Sequence, residues 1–386
     1  MKKTDFSHNS PGKVVKTQQG YLAFVPAPLP PKVVWSNKLI AALSKADRSL
    51  ARLAEVGSAF PAPHMVARPF IRKEAVLSSQ IEGTRTSFRE LLSFEARQLS
   101  FFGSTEDTHE VYNYVRAMDY GLQRLKELPM STRLIREIHA ILMQGVRGEA
   151  ATPGEIRRSQ NWIGRPGALL NAAIYVPPPI ESMHTCLSDL ERFIHQDSDL
   201  PPLLRIGLVH YQFEAIHPFL DGNGRIGRLL ITFLLVAWEL LSQPLLYLSS
   251  FFEANRQEYY HRLLSVSHNG EWEAWLMFFL EGVHNQAEDA NRRIVLLREL
   301  RLQYRALFAD DRSRDMLGRM VDYLISTPIF SISQAQADLQ MGSFTTIQRY
   351  IEKLASLKIV REVTGRSRNR LYHADKILEI LEDPAQ

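Results

Sequence analysis

The sequence predicts an all-α protein: a helical core with a short β-hairpin flap, followed by a C-terminal winged helix-turn-helix domain. Apolar residues recur at helical spacing through most of the 386 residues. One stretch rich in β-branched and aromatic residues, 165–180, lies between Gly and Pro signals and predicts the hairpin. Residues 311–386 follow the order helix, helix-turn-helix and β-hairpin, which is typical of a winged helix.

The domain boundaries follow from changes in pattern along the chain. Proline-rich residues 1–34 predict an extended N-terminal arm rather than a packed element. We expect a helical region over 35–125, a helical core domain over 126–285, a connecting helix over 286–310 and the winged helix over 311–386. The apolar spacing predicts helices near 36–56, 69–81, 87–99, 107–127, 131–145, 181–196, 201–216, 223–242, 255–266, 270–308, 314–326, 333–339 and 345–357.

Composition is that of an ordinary globular protein. The chain has 46 Lys plus Arg against 42 Asp plus Glu, 45% apolar residues and one cysteine, Cys186. These values exclude a disordered or fibrous chain, a disulfide framework and a thiolate metal site. No apolar run reaches the ~18 residues that span a bilayer, and no secretory signal is recognisable. We therefore expect a cytoplasmic protein without a membrane partner.

The segment 217–228, HPFLDGNGRIGR, joins two predicted helices through a glycine-rich turn. Pro218 disfavours α geometry at the residue before it, so the first helix should end near Ile216. Glycines permit the tight turn, and the amides that open the next helix lie at the positive end of its dipole. The segment therefore predicts an anion-binding site.

Side chains of the same segment have the chemistry that a phosphate ester requires. Arg225 and Arg228 are three residues apart, so both reach one side of the helix. Asp221 is a hard oxygen ligand suited to Mg²⁺, and His217 can take a proton from an attacking hydroxyl. A simple helix connection with an incidental histidine does not explain this combination. His210, seven residues earlier, is interpreted as a core histidine rather than a zinc ligand.

These residues resemble the Fic family, whose signature HxFx(D/E)GNGRxxR is matched at every fixed position from His217 to Arg228. The resemblance implies a helical fold and transfer of AMP from ATP, with Mg²⁺, to a hydroxyl side chain of a protein. It makes His217 the general base and Asp221 the metal ligand. It assigns nucleotide binding to Glu82, His217, Gly222, Asn223, Gly224, Arg225, Arg228 and Asn255, with Arg228 on the γ-phosphate. Related Doc-type kinases carry Lys in place of Gly224 and bind the nucleotide reversed, so Gly224 favours AMP transfer.

Upstream, Ser78, Glu82 and Gly83 match the (S/T)xxxE(G/N) inhibitory motif of the family, at the end of a helix predicted over about 70–83. By that likeness, Glu82 pairs with Arg228 and fills the space that the γ-phosphate requires, since both anions compete for one guanidinium. An ordinary surface glutamate at a helix end is the alternative. Glu82 could instead position water for removal of AMP, and the sequence leaves the direction of the chemistry open.

Two further segments resemble parts of the Fic site. NAAIYVPPP is similar to the family's flap, which implies that Ile174 and Tyr175 align a target segment by strand addition. FEANRQEYY is similar to a nucleoside-contacting segment, which gives Asn255 its predicted role and places Tyr259 and Tyr260 near the adenine. The alternatives are an ordinary turn excursion and core aromatics at helical spacing.

The predicted winged helix offers candidate nucleic-acid contacts on its recognition helix and wing: Gln348, Arg349, Lys353, Arg366, Arg368 and Arg370. Residues 311–386 contain eleven basic and ten acidic residues, so a protein-interaction module stays an alternative to a DNA-binding one. The competing function is a transcription regulator whose Fic-like domain only senses nucleotide. The intact His217 argues against it, because a sensor needs no base. The sequence leaves open the target protein, self-modification and formation of a homodimer.

Overall fold

A computed structural model of the chain describes residues 1–97, 105–145, 152–165, 167, 169–340, 342–366 and 369–382. These residues form fifteen α-helices and two small antiparallel sheets, which confirms the predicted helical class. None of the helices in this part of the chain is both long and apolar enough to cross a membrane.

The N-terminal arm is not simply extended, and that part of the prediction for 1–34 is wrong. Strand β1 (Gly12–Lys16) pairs antiparallel with strand β2 (Leu22–Pro26). Phe24 is fully buried, and its N–H donates to the carbonyl of Val176 over 2.9 Å. Apolar residues that pack on both strands stabilise this hairpin, and the prolines that suggested an arm lie at its two ends and after it.

Eight helices and their shared apolar core make up the region up to Ala237. Serine and threonine side chains cap several N-termini; the Ser131 Oγ, for example, accepts from the N–H of Leu134 over 3.3 Å. The bounds are α1 Asn37–Ser58, α2 Pro63–Ile81, α3 Phe88–Arg97, α4 Glu106–Arg124, α5 Thr132–Leu142, α6 Ile180–His195, α7 Pro202–Ile216 and α8 Asn223–Ala237. Helix α2 begins earlier than expected, because Pro63 occupies the first turn, where no backbone N–H is needed.

Three helices follow: α9 (Ser249–Ala254), α10 (Arg256–Asn269) and α11 (Trp272–Ala306). Helix α9 is not predicted by the sequence pattern. Helix α11 runs unbroken for 35 residues and packs along α1. The predicted boundary between a core domain ending at 285 and a connecting helix therefore falls inside one continuous helix, whose buried face extends across it.

The C-terminal elements occur in the predicted order. They are α12 Arg314–Ser326, β3 Ile329–Ser331, α13 Ile332–Leu339, α14 Phe344–Ser356, β4 Arg361–Glu362, β5 Leu371–His373 and α15 Asp375–Glu382. The three strands form an antiparallel sheet in the order β3-β5-β4. Strand β3 and helix α15 are additions to the prediction, and a role in binding nucleic acid stays a prediction.

The C-terminal elements are attached to helix α2. Lys73 Nζ donates to the carbonyl of Leu381 over 3.0 Å, and Arg293 on α11 donates to the carbonyl of Ile380. Cations favour the end of a helix where carbonyls have no intrahelical partner, so both contacts stabilise the end of α15. Helix α12 packs on α2 as well.

Candidate active site

The loop between α7 and α8 has the predicted form. His217 follows α7 in a left-handed conformation, with φ +50° and ψ +62°. Gly222 adopts φ +76° immediately before α8 begins. The backbone N–H groups of the first turn of α8 have no intrahelical acceptor and lie at the positive end of the dipole. These groups favour an anion at the loop.

Asn223, a predicted nucleotide contact, uses its side chain to close the loop. Its Oδ1 accepts from the N–H of Phe219 over 2.9 Å, and its Nδ2 donates to the Phe219 carbonyl over 2.8 Å. The side chain is buried. The backbone N–H of Asn223 is therefore the group available to an anion, and its nucleotide contact stays a prediction.

His217 is neutral at pH 7 and has an accepting ring nitrogen. Its Nδ1 lies 3.3 Å from the carbonyl of Glu214. Because a carbonyl can only accept, Nδ1 carries the proton and Nε2 keeps its lone pair. Burial and the positive charge of Arg157 lower the pKa of His217 to about 4, against the opposing effects of the Glu214 carbonyl and the Glu82 and Asp221 carboxylates.

Glu82 and Arg228 form an ion pair. The Glu82 Oε1 accepts from the Arg228 Nη2 over 2.7 Å. Ser78 holds the same guanidinium twice, since its Oγ accepts from Nε over 2.8 Å and its carbonyl from Nη2 over 2.9 Å. The side chain of Arg228 is 1% exposed and that of Glu82 is 35% exposed. Burial raises the pKa of the Glu82 carboxyl, but Arg228 outweighs this effect and the net pKa is lowered.

Two glycines allow this close approach of α2 and α8. A Cβ at position 224 would overlap the Glu82 Oε1 and would lie 3.0 Å from the Arg228 Nη1. Gly83 adopts φ +103° directly after Glu82, where the chain leaves α2. The structure therefore brings the three motif residues Ser78, Glu82 and Gly83 to one junction beside Gly224 and Arg228.

Arg225 is buried against a carboxylate that sequence reasoning missed. Its Nη1 lies 3.4 Å from the Glu110 Oε2, and its Nη2 lies 3.8 Å from the Asp221 Oδ1. The Asp221 side chain is half-exposed, and its Oδ1 accepts from the N–H of Gly222 over 2.6 Å. Glu110 thus offsets the charge of Arg225, while Asp221 presents a carboxylate at the surface of the loop.

In the described part of the predicted hairpin over 165–180, strand pairing is limited to one antiparallel bridge. Ile163 pairs with Tyr175, and the Ile163 N–H donates to the Tyr175 carbonyl over 2.8 Å. Three prolines follow and lack the N–H groups that would extend a ladder. Ile174 is 48% exposed, whereas Tyr175 is 5% exposed and donates its hydroxyl to the carbonyl of Ala215 over 2.8 Å. Tyr175 therefore anchors the flap, and Ile174 is the predicted target contact that is accessible.

Tyr259 is a core residue, although it is predicted near the adenine. Its hydroxyl donates to Nε2 of His210 over 2.8 Å, and the Nδ1–H of His210 donates to the carbonyl of Gly227 over 2.9 Å. His210 is fully buried, and burial lowers its pKa to about 3. Tyr260 is exposed; burial of its hydroxyl and the Glu82 charge raise its pKa to about 12. Of the two tyrosines, only Tyr260 is accessible beside the ion pair.

Asn255 lies at the start of α10 and is exposed. Its Nδ2 donates to the carbonyl of Phe251 over 2.9 Å. It lines a groove of about 810 Å³ together with Trp272 and Met277. Its nucleotide contact stays a prediction.

His139 is a loop-supporting residue that sequence reasoning missed. Its Nδ1 accepts from the N–H of Gly154 over 2.8 Å, so its Nε2–H donates to the Asp221 carbonyl over 3.1 Å. Its ring stacks on Phe219 with centroids 3.8 Å apart. Burial lowers its pKa to about 4. A polar ring within the apolar pattern of 132–142 was the signal available in the sequence.

Glu214 is a third missed residue, one helical turn before His217. Among the described residues, its Oε1 is buried without a hydrogen-bond partner. Burial raises the pKa of its carboxyl to about 7, even though Arg228 acts in the opposite direction. A Cβ at Gly227 would overlap this carboxylate. The sequence signal was an acidic residue inside an otherwise apolar helix.

The predicted nucleic-acid contacts differ in their surroundings. Three are exposed: Arg349, Arg366 and Arg370. Lys353 forms an ion pair with Asp311, and its contact with nucleic acid stays a prediction. The Gln348 Nε2 donates to the Glu352 Oε1 over 2.8 Å. Arg368 lies outside the described residues.

Comparison with known proteins identifies the class to which this fold and loop belong. The N-terminal model of the Fic/DOC family matches residues 40–123, and the Fic/DOC family model matches residues 129–235. A Fic family protein from Desulfovibrio desulfuricans shares the fold with a TM-score of 0.57 and 18% identity, covering 93% of this chain and 100% of that chain. Fic-1 from C. elegans has a TM-score of 0.52 and 21% identity, covering 68% of this chain and 74% of its own. The chain belongs to the Fic/DOC family.

Curated relatives are named Protein adenylyltransferase Fic. The protein from Drosophila erecta is 26% identical over 205 residues, which is 52% of this chain and 38% of the relative. The protein from Drosophila grimshawi is 27% identical over 246 residues, which is 61% of this chain and 47% of the relative. The chain thus spans less than half the length of these two relatives.

Proposed function

We propose that the chain transfers AMP from ATP to a hydroxyl side chain of a protein. The proposal rests on the neutral imidazole of His217, whose Nε2 can accept a proton, in the loop that leads into the N-terminus of α8. A base beside an anion-favouring helix end combines the two elements that transfer of a phosphate ester to a hydroxyl requires. The name of the Drosophila relatives supports the same reaction.

In the proposed reaction, the target hydroxyl gives its proton to the Nε2 of His217 while its oxygen attacks the α-phosphorus of ATP. The bond between that phosphorus and the oxygen of the leaving group breaks, and pyrophosphate departs. Arg228 and the amides that open α8 bind phosphate oxygens and offset their charge. The products are the AMP-modified protein and pyrophosphate, and His217 returns its proton to solvent.

Asp221 fits the Mg²⁺ that the family resemblance implies. Its half-exposed carboxylate is a hard oxygen ligand at the surface of the loop. Within the described ranges, no group of three or more His, Cys, Asp or Glu side chains could hold a metal ion unaided. Phosphate oxygens and water would therefore supply the other ligands, as is usual for Mg²⁺. When bound, the ion neutralises charge on the phosphates.

We further propose that Glu82 inhibits this reaction. Its carboxylate is bonded to Arg228, the guanidinium that we assign to the γ-phosphate, and a Cβ at 224 would overlap it. A carboxylate and a triphosphate cannot both form the same charge-assisted bonds to one buried guanidinium. Loss of the Glu82 side chain should therefore free Arg228 for ATP.

The reaction is tested by the position of the transferred label. The Glu82→Gly variant is incubated with a cell lysate and ATP labelled at either the α- or the γ-phosphate. Relative to the same lysate incubated with Glu82→Gly/His217→Ala, we expect additional label on protein only from the α-position. Additional label only from the γ-position would show a kinase and would overturn the proposal.

For the C-terminal elements we propose binding to nucleic-acid phosphates through Arg349, Arg366 and Arg370. The support is their exposure on α14 and beside the β4–β5 turn, in the element order of a winged helix. A mobility shift with the full chain and duplex DNA, repeated at higher salt, tests it. We expect a shift that salt weakens and that alanine at these three positions removes, with Arg312→Ala as control. No shift at low salt would favour a protein-interaction role.

A further inference from the structure

Arg157, which lies between α5 and α6, is a buried charge. It is 1% exposed and, among the described residues, pairs with no carboxylate. All of its described side-chain bonds go to backbone carbonyls: Nε to His217 over 3.0 Å, Nη1 to Ser159 over 3.3 Å and Nη2 to Pro178 over 2.5 Å. Burial lowers its pKa to about 10. Burial of a guanidinium removes its hydration, and this costs free energy when only neutral carbonyls replace the water. The bonds to these carbonyls therefore need a structural reason.

One of these carbonyls, that of His217, belongs to a left-handed turn. A residue with a Cβ adopts this conformation only at an energetic cost. The segment containing Arg157 and Asn161 bonds three consecutive carbonyls of the turn. The Arg157 N–H donates to Pro218 over 2.9 Å, and the Asn161 Nδ2 donates to His217 over 3.3 Å and to Phe219 over 2.7 Å. These bonds compensate the strain of the turn.

We propose that Arg157 and Asn161 are positioning residues that hold the backbone of His217 and thereby aim its imidazole at the target hydroxyl. The proposal rests on the AMP transfer proposed above. Arg157 also bonds the carbonyl of Pro178, at the end of the flap segment, so one side chain joins the base to the flap. Neither residue contacts phosphate in this assignment; each acts through His217.

The test uses variants of Arg157 in the Glu82→Gly background, where transfer is measured. Arg157→Met removes the three carbonyl bonds and keeps an apolar stem. Arg205→Met is the matched control, because Arg205 also donates to backbone carbonyls, those of Phe193 and Gln196, each over 2.9 Å, away from the loop. We expect Arg157→Met to lower kcat by about 10- to 100-fold, the scale of a misplaced catalytic group, with KM for ATP unchanged. Arg205→Met should retain kcat even if it melts at a lower temperature.

Two further variants keep the test decisive. If Arg157→Met does not fold, Asn161→Ala replaces it as the test, because it removes two carbonyl bonds. We expect Asn161→Ala to lower kcat as well, with a smaller effect on KM for ATP. Arg157→Lys should recover part of the lost kcat, since an ammonium can donate to the His217 carbonyl. If Glu82→Gly itself transfers no AMP, the proposed function fails. If it transfers AMP and the Arg157 and Asn161 variants keep its kcat, the positioning role is overturned.

Discussion

The carboxylate of Glu82 lies 2.7 Å from the Nη2 of Arg228, where α2 meets α8. Helix α2 forms hydrogen bonds with two other helices: its Lys73 donates to the carbonyl of Leu381 in α15, and its Ser78 accepts from Arg228 in α8. Helix α2, which leads into Glu82, therefore contacts both α8 and the C-terminal elements. A displacement of α2 would move the carboxylate relative to the guanidinium.

Removal of the base should separate chemistry from nucleotide binding. His217→Ala removes the accepting Nε2 but no side chain that we assign to phosphate, so transfer should fall below detection while the dissociation constant for Mg·ATP stays similar. Calorimetric titration and an α-label assay, both in the Glu82→Gly background, measure the two quantities. His184→Ala, at an exposed histidine of α6, is the control and should transfer normally. Near-normal transfer by His217→Ala would refute the base assignment.

Buried neutral histidines should make the protein sensitive to acid. Burial holds the pKa of His210 at about 3, below its ordinary value of 6.5. Between these two pH values the unfolded chain binds more protons than the folded protein does. The free energy of unfolding therefore decreases as the pH is lowered, by about 1.4 kcal/mol per pH unit. Glu214, whose pKa is raised to about 7, acts in the opposite direction above pH 4.5. A comparison of wild type with a His210 variant separates the two effects.

In that comparison, His210→Gln keeps an acceptor for Tyr259 and a donor for Gly227 but does not titrate. Urea unfolding at pH 7, 6 and 5 should show that wild type loses about 2 kcal/mol more than His210→Gln across the range. Parallel losses in the two proteins would contradict a neutral buried His210.

Gly121 on α4 should be intolerant of a methyl group. Alanine is favoured over glycine in a helix interior by about 1 kcal/mol. At position 121, however, the new Cβ would overlap the ring of Phe233 on α8. Overpacking of a rigid core costs about 1–3 kcal/mol, so the clash should outweigh the propensity gain and the melting temperature should fall. Gly121→Ala/Phe233→Leu should recover part of the loss; an Ala variant as stable as wild type would contradict this packing.

Local chemistry accounts for what the sequence predicted well. Pro218 and Gly222 determine the turn by their own backbone preferences, so the end of α7 and the start of α8 follow from neighbouring residues alone. The spacing predicted one helix over 270–308, close to α11, but the domain boundary was placed inside it because nothing in its sequence shows that one helix serves both the core and the connection. The β1–β2 hairpin was missed because the nearby prolines dominate the pattern.

Side-chain roles depended on contacts between distant segments. The bond of Tyr259 to His210 and the bond of Tyr175 to Ala215 make both tyrosines core residues, and the sequence pattern does not contain either contact. Asn223 has the identity that the family signature requires, yet its side chain braces Phe219. His139 and Glu214 were missed for the same reason, since His139 reaches the Asp221 carbonyl and Glu214 reaches Gly227 only through the fold.

The rate of AMP transfer by wild type, Glu82→Gln and Glu82→Gly, measured with α-labelled ATP under identical conditions, tests most directly whether Glu82 and the triphosphate compete for Arg228. Gln keeps a hydrogen bond to the guanidinium but loses the charge, and Gly loses both. We predict rates that increase in the order wild type, Gln, Gly. Equal rates in the three folded proteins would contradict the account.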